Sequence, residues 1–119
     1  MNDDRTSRCL FCRILDGSIP AEQVYSDEQV VAFRDIHPQA PTHILVIPRC
    51  HIAGIASPDA ENGAILQALI QTANRIAREQ GVADSGYRLV FNWGPNAGQS
   101  VFHLHLHLLG GRPLGWPPG

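Results

Sequence analysis

Polar and apolar residues alternate most strictly between residues 101 and 109, where the sequence reads Val-Phe-His-Leu-His-Leu-His-Leu-Leu. Such alternation is typical of a half-buried β-strand, because successive side chains on a strand point to opposite faces. The pattern predicts a strand whose core face carries Phe102 and the leucines. His103, His105 and His107 are then expected to share the opposite face.

Shorter patterns predict the other elements. Apolar runs indicate four further strands, at 24–26, 30–35, 43–48 and 87–92. Apolar residues recur every three or four positions between residues 65 and 77, which predicts a long amphipathic helix that begins at Ser57-Pro58 and ends at Gly81. A short helix is expected from Cys9 to Leu15. With short connections between the strands, this order predicts an α+β fold: an antiparallel sheet of about five strands with one long and one short helix.

Length and charge narrow the classes of protein that fit. A chain of 119 residues can bury a core without disulfides, and we expect one domain over 1–119, with a frayed segment at 1–8 and an extended tail at 110–119. The net charge of -2 favours neither a nucleic-acid nor a membrane partner. All nine basic residues are arginine, which excludes a P-loop lysine. With no signal-like start and no apolar run of transmembrane length, a cytoplasmic location is expected.

Three histidines on one strand face can be interpreted in three ways, two of which give them a chemical role. One metal ion could bind two neighbouring imidazoles, but His103 and His107 would stand about 13 Å apart along the strand, too far for both to join it. Alternatively, the middle ring attacks a phosphoryl or acyl centre while its neighbours orient it. The third interpretation is a row of partly exposed histidines with no task.

Three other features have both a chemical and a structural interpretation. Cys9 and Cys12 are spaced to share a zinc ion or form a redox pair, or are two reduced structural thiols. Asp35 closes a strand and could accept hydrogen bonds from a ribose diol, or remain a solvated charge. The loop at 94–100 has glycines, a serine and free amides that could hold a phosphate, although many such loops are only turns.

The stretch from His103 to Leu109 resembles the histidine triad signature, His-φ-His-φ-His-φ-φ. Five further blocks resemble the Hint branch of that superfamily, at 33–36, 39–43, 45–48, 98–101 and 116–119. The resemblance implies a nucleotide-binding hydrolase that cleaves purine nucleoside 5′-phosphoramidates or related conjugates to the nucleoside monophosphate. It also implies a homodimer, and we expect Trp116 of the tail to contact the neighbouring subunit near its nucleotide site.

Site residues are implied by the same resemblance. His105 matches the nucleophile that forms a nucleotidyl-histidine intermediate, and Ser100 matches a catalytic contact to the phosphate and leaving group. His103, His107 and His43 match residues that orient the nucleophile and move protons. The nucleotide-binding positions comprise the ribose acceptor, the apolar purine slot and the phosphate contacts: Asp35, Phe11, Ile14, Ile19, Phe33, Ile36, Leu45, Asn92, Gly98, Gln99, Ser100, Val101, His105 and His107.

The cysteine pair resembles that of bacterial triad proteins, where two cysteines and two histidines hold a structural zinc. The matching residues here are Cys9, Cys12, His51 and His103, a donor set suited to a closed tetrahedral site. His103 cannot be both a zinc ligand and a proton carrier, and a metal-free thiol pair is the alternative. No cofactor is expected to be required for catalysis. A non-catalytic nucleotide-binding regulatory module and a zinc-dependent hydrolase are the competing functions.

Overall fold

Five strands form a single antiparallel sheet in the computed structural model, which describes residues 8–119. Their order across the sheet is β1-β2-β3-β5-β4, and their bounds are β1 Gln23–Ser26, β2 Val30–Arg34, β3 Thr42–Pro48, β4 Tyr87–Val90 and β5 Leu106–Gly110. The helices are α1, Leu10–Leu15, and α2, Ala64–Glu79, with 3-10 turns at Pro58–Ala60 and Pro95–Ala97. The predicted α+β fold is confirmed. Of the segment expected to be frayed, residues 1–7 lie outside the described residues.

Each face of the sheet is covered by one helix. The apolar stripe of α2, including Leu69 and Ile76, packs in one buried cluster with Ile44 of β3 and with Leu106 and Leu108 of β5. The other face forms a second cluster with the short helix; its buried members are Cys9, Phe11, Ile14, Val31, Phe33, Leu45 and Ile47. The histidine face of β5 lies on the side of the sheet that carries α1, and His107 on that face is only partly buried.

The central strand brings His43 beside the histidines of β5. All seven residues of β3 are buried, as expected of a strand covered on both faces. Leu45 is paired with His107 in the antiparallel register, and paired residues point to the same face. Since side chains alternate along a strand, His43 shares that face with Leu45. Two histidines distant in sequence thus become neighbours.

The histidine strand is shorter than predicted. β5 begins only at Leu106, and residues 101–105 have no regular structure. Phe102 was predicted in the core but is 62% exposed, whereas His103 is 0% exposed. The cause is a change of partner: the amide of Leu104 donates to the carbonyl of Ile52, in a loop, at 2.6 Å. This segment therefore leaves the sheet, and the strict alternation of faces ends at His105.

The predicted start of the long helix is wrong by several residues. Pro58–Ala60 is a separate 3-10 turn, and α2 starts at Ala64 after Gly63, whose φ is 79°. Ser57 does not cap a helix with its side chain; its hydroxyl accepts a hydrogen bond from the amide of Gly54 at 3.1 Å. A serine-proline pair initiates either kind of turn, so the sequence signal was ambiguous.

The tail was predicted to begin at residue 110, but Gly110 is the last residue of β5. Residues 111–119 have no helix or strand, and Trp116 is 83% exposed. Arg88 fixes part of it by donating to the carbonyl of Gly115 at 2.8 Å. Within residues 8–119, no helix is long and apolar enough to cross a membrane.

Candidate active site and metal centre

A cavity of about 610 Å³ lies between α1, the end of β2 and the histidines. Its lining combines apolar side chains of α1, the following loop and the sheet with polar side chains that include Asp35, Ser100 and the histidines. The predicted site residues that line it are Phe11, Ile14, Ile19, Phe33, Asp35, Ile36, His43, Leu45, Gly98, Ser100, Val101, His105 and His107. A cavity lined by both apolar side chains and polar groups suits a ligand with a flat apolar part and a charged part.

The tautomer of His105 follows from one hydrogen bond. Its Nδ1 lies 2.7 Å from the carbonyl oxygen of His103. A carbonyl only accepts, so Nδ1 carries the proton and, in the neutral ring, Nε2 carries the lone pair. The ring of Phe11 packs edge-on against this imidazole, with centroids 5.1 Å apart. The middle histidine is thus a neutral base or nucleophile held in one orientation.

His43 and His107 form a directed pair. The amide of Gln39 donates to Nδ1 of His43 at 3.0 Å, and an amide cannot accept. The proton of neutral His43 is therefore on Nε2, which lies 3.0 Å from Nδ1 of His107 and donates to it. His107 is then left with its own proton on Nε2. The pair presents a hydrogen-bond donor on a ring that lines the cavity.

The carboxylate of Asp35 lies beside the His43–His107 pair. One carboxylate oxygen, Oδ1, accepts from the amide of His37 at 2.8 Å. The other, Oδ2, is 3.5 Å from Nε2 of His43. This carboxylate can accept further hydrogen bonds from a ligand in the cavity, because each oxygen offers more than one lone pair.

Burial keeps the histidines of the site neutral. Loss of solvent is the largest cause that lowers the pKa of His105, and it also lowers the pKa of His43. For His107, burial and the neighbouring imidazoles of His105 and His43 lower the pKa to about 4. A low pKa preserves the lone pair of an imidazole at neutral pH, which nucleophilic attack requires.

A second group of donors lies behind His105. The donor atoms of Cys9, Cys12, His51 and His103 all lie within 4.8 Å of one another. Nδ1 of His103 is 3.3 Å from Sγ of Cys9 and 3.5 Å from Sγ of Cys12, and Nδ1 of His51 is 3.3 Å from Sγ of Cys12. We call these four residues the Cys/His cluster. They come from the start of α1, the loop after β3 and the segment before β5.

These residues fit a zinc ion. Zinc–sulfur bonds of about 2.3 Å and zinc–nitrogen bonds of about 2.0 Å at a tetrahedral angle place sulfur and nitrogen about 3.5 Å apart, close to the distances found. Nε2 of His103 is 2.9 Å from the carbonyl of Pro48 and must donate to it, so the lone pair of Nδ1 points at the thiols. Burial lowers the pKa of His103 to about 4, which keeps this lone pair free. It also raises the pKa of Cys12 to about 12, so a metal must displace its proton.

Of the residues predicted to be catalytic or nucleotide-binding, three lie outside the cavity lining. His103 belongs to the Cys/His cluster, Asn92 is only half-buried elsewhere, and the side chain of Gln99 is bonded to backbone groups of two loops. The prediction missed six lining residues: Leu10, Pro20, Ala21, Arg34, His37 and Gln39. Gln39 acts on His43 through its amide, and a backbone contact leaves no signature in the residue type.

Comparisons with known proteins find one matching family model and several similar proteins. The family model described as HIT domain matches residues 16–114. The purine nucleoside phosphoramidase of Escherichia coli K12 is 49% identical over 106 residues, which cover 89% of each chain. The 14 kDa zinc-binding protein of Zea mays is 49% identical over 115 residues, 95% of this chain and 89% of that one. A HIT family hydrolase from Legionella pneumophila superposes with a TM-score of 0.90 at 50% identity, covering 94% of this chain and all of the other.

Proposed function

The chain belongs to the HIT domain family, and on that premise we propose that it cleaves purine nucleoside 5′-phosphoramidates, or related nucleotide conjugates, to the nucleoside monophosphate. The observation that carries the proposal is the hydrogen bond from Nδ1 of His105 to the carbonyl of His103, which leaves a lone pair on Nε2 of a ring that lines the cavity. Two similar proteins are named purine nucleoside phosphoramidase and HIT family hydrolase.

The first half of the reaction forms a covalent intermediate on His105. Its Nε2 lone pair attacks the α-phosphorus, a nitrogen–phosphorus bond forms, and the bond to the leaving amine breaks. The departing nitrogen takes up a proton from solvent and leaves as the free amine, while Nε2–H of His107 and the hydroxyl of Ser100 can donate hydrogen bonds to it from the cavity lining. His43 holds His107 in this orientation, because its Nε2–H donates to Nδ1 of His107.

The second half regenerates the enzyme. Water attacks the phosphorus and releases a proton to solvent, and the bond between phosphorus and His105 breaks with its electrons returning to Nε2. The products are the nucleoside monophosphate and the starting histidine. The proton taken from solvent in the first half is returned in the second, so that the whole reaction consumes only the substrate and one water molecule.

Substrate binding is proposed to rest on separate residues. The purine would lie in the apolar slot between Phe11, Ile14 and Leu45, and the ribose hydroxyls would donate to Asp35. A phosphate would contact Ser100 and the backbone of Gly98. Since none of the apolar lining residues takes part in bond making, binding and turnover are separable by mutation.

Zinc is proposed to bind to the Cys/His cluster, where it would supply structural stability by cross-linking α1 to two loops. His103 then contributes to catalysis only through its carbonyl oxygen, which holds the proton of His105 on Nδ1. Hydrogen bonding to the leaving group falls to His107, which His43 orients. This assignment resolves the double role that the resemblance implied for His103.

The stereochemistry at phosphorus tests the proposal. A substrate made chiral at the α-phosphorus is turned over, and the configuration of the nucleoside monophosphate is determined. Two successive in-line displacements, on and off His105, give overall retention. A water molecule that attacks the substrate directly, as in a zinc-dependent hydrolase, gives inversion, and that result would exclude the intermediate. Absence of any turnover would favour the non-catalytic binding module.

A further inference from the structure

We propose that Gln99 is a positioning residue that clamps the loop carrying Ser100 to the loop carrying His51, and that it does not contact substrate with its side chain. The inference deepens the proposed function, since the first of these loops supplies the phosphate contacts. We call residues 94–100 the phosphate loop and residues 49–57 the His51 loop. The resemblance had implied that Gln99 is a phosphate contact.

Both polar atoms of the Gln99 side chain are already bonded to backbone groups. Oε1 accepts from the amide of Gly94 at 3.0 Å, which closes the phosphate loop on itself. Nε2 donates to the carbonyl of Ala53 at 3.1 Å, which ties the phosphate loop to the His51 loop. The amide of Gln99 also donates to the carbonyl of Gly94 at 3.1 Å. A side chain with both polar atoms bonded in this way would have to give up backbone partners in order to bind a phosphate.

Trp93 supplies the apolar half of the same clamp. A Cβ atom built on Gly54 would lie 2.6 Å from both Cε3 and Cζ3 of the Trp93 ring, and 3.0 Å from Nε2 of Gln99. The indole therefore lies directly on the backbone of the His51 loop, and only a glycine permits that approach. Ser57 also holds the backbone of Gly54 in place, because its hydroxyl accepts a hydrogen bond from the amide of Gly54 at 3.1 Å.

The clamp lies next to the groups that act on the phosphate. Gly98 and Ser100 line the cavity, and Gln99 stands between them. The position of the Ser100 hydroxyl relative to His105 therefore depends on where Gln99 holds the phosphate loop. Displacements of about 1 Å in such a group can cost a hundredfold in rate. The purine slot and Asp35 belong to other elements, so the clamp should govern turnover more than binding.

The test uses a residue that touches neither substrate nor reacting atoms. Gly54→Ala drives a methyl group into Trp93, and we expect kcat on adenosine 5′-phosphoramidate to fall at least tenfold, while the Kd for AMP changes less than threefold. Ala56→Ser, which also adds one heavy atom to this loop but at an exposed position, is the matched control and should leave both values unchanged. Wild-type kcat in a folded Gly54→Ala protein would overturn the proposal.

A double mutant separates steric pressure on Trp93 from a general loss of structure. Trp93→Ala removes the two ring atoms closest to the new methyl group and leaves only Nε2 of Gln99, at 3.0 Å, among its near neighbours. Adding Gly54→Ala to that background should therefore lower kcat by a smaller factor than it does in the wild-type protein. An undiminished penalty in the Trp93→Ala background would show that the pressure does not pass through the indole, and would remove Trp93 from the clamp.

Gln99→Met provides a test that does not depend on Gly54 variants folding. Methionine has a similar length but makes neither amide hydrogen bond, so kcat should fall while the Kd for AMP stays within threefold. A side chain that binds phosphate predicts the reverse: weaker AMP binding with kcat maintained. Amide hydrogen exchange at Gly94 should become at least tenfold faster in Gln99→Met and remain unchanged in Ala56→Ser. This readout tests the clamp even if the protein turns over no phosphoramidate, and unchanged exchange would refute it.

Discussion

The low pKa of His107 predicts activity in acid that ordinary imidazoles would not allow. Its neutral form is the competent one in the proposed reaction, because Nδ1 must accept from His43. Protonation therefore removes activity as the pH falls through the pKa. Burial and the two neighbouring imidazoles lower that pKa from 6.5 to about 4, and burial lowers the pKa of His105 as well. The shift for His107 corresponds to about 3 kcal/mol favouring the neutral form.

The expected size of the effect can be stated at pH 5.5. An imidazole with a pKa of 6.5 is about 9% neutral there, whereas one with a pKa near 4 is about 97% neutral. We expect kcat/KM at pH 5.5 to remain at least half of its value at pH 7.5, since kcat/KM reports the free enzyme. The assay is a pH–rate profile with adenosine 5′-phosphoramidate, corrected by enzyme-free blanks for acid hydrolysis of the substrate.

A variant that exposes His105 to water should lose activity at a higher pH than the wild-type protein does. Phe11→Ala removes the ring packed on His105 and exposes the imidazole, so its pKa should return toward 6.5 and activity at pH 5.5 should drop selectively. Phe102→Ala, which truncates an exposed phenylalanine, is the control and should keep the wild-type profile. A loss of tenfold or more at pH 5.5 in the wild-type protein would refute the reasoning.

Three further predictions concern the nucleophile, the metal and the dimer. His105→Ala should abolish turnover but keep AMP binding within a few-fold, because binding rests on other residues; turnover within tenfold of wild type would remove His105 from its role. Protein purified without chelator should contain about one zinc per chain, and Cys9→Ser/Cys12→Ser should lose it together with thermal stability; metal analysis near zero would dismiss the zinc site. Truncation after Arg112 should leave a dimer in sedimentation experiments and change kcat/KM more for bulky leaving groups than for ammonia, because Trp116 is expected at the partner's site. A monomer of the full chain at micromolar concentration would contradict the expected dimer. Unchanged leaving-group selectivity in the truncated protein would contradict the expected role of Trp116.

The sheet and the long helix were predictable because burial on one face leaves a periodic signal in the sequence. Apolar alternation located β5, and the recurrence of residues such as Leu69 and Ile76 located α2. The start of α2 was not predictable in this way, since the Ser57 hydroxyl serves a loop amide and caps no helix. Nor was the early end of alternation at His105, which depends on a long-range bond between Leu104 and Ile52. Local patterns do not record such tertiary partners.

The candidate site was predictable in its residue types and less so in its hydrogen bonds. The resemblance indicated the histidines, Asp35 and the four donors of the Cys/His cluster, and the fold brings each set together. It did not indicate that the amide of Gln39 fixes the tautomer of His43, or that the side chain of Gln99 is bonded to two loops. In both cases one partner is a backbone group, which any residue type can supply.

Detection of the covalent intermediate is the most direct test of the proposed mechanism. Adenosine 5′-phosphoramidate is mixed with the protein, quenched within one turnover and analysed by mass spectrometry. The proposed mechanism predicts one added adenylyl group on the peptide that contains His105. This adduct should form and decay fast enough to support kcat. Turnover without any adduct, or an adduct on a different residue, would contradict it.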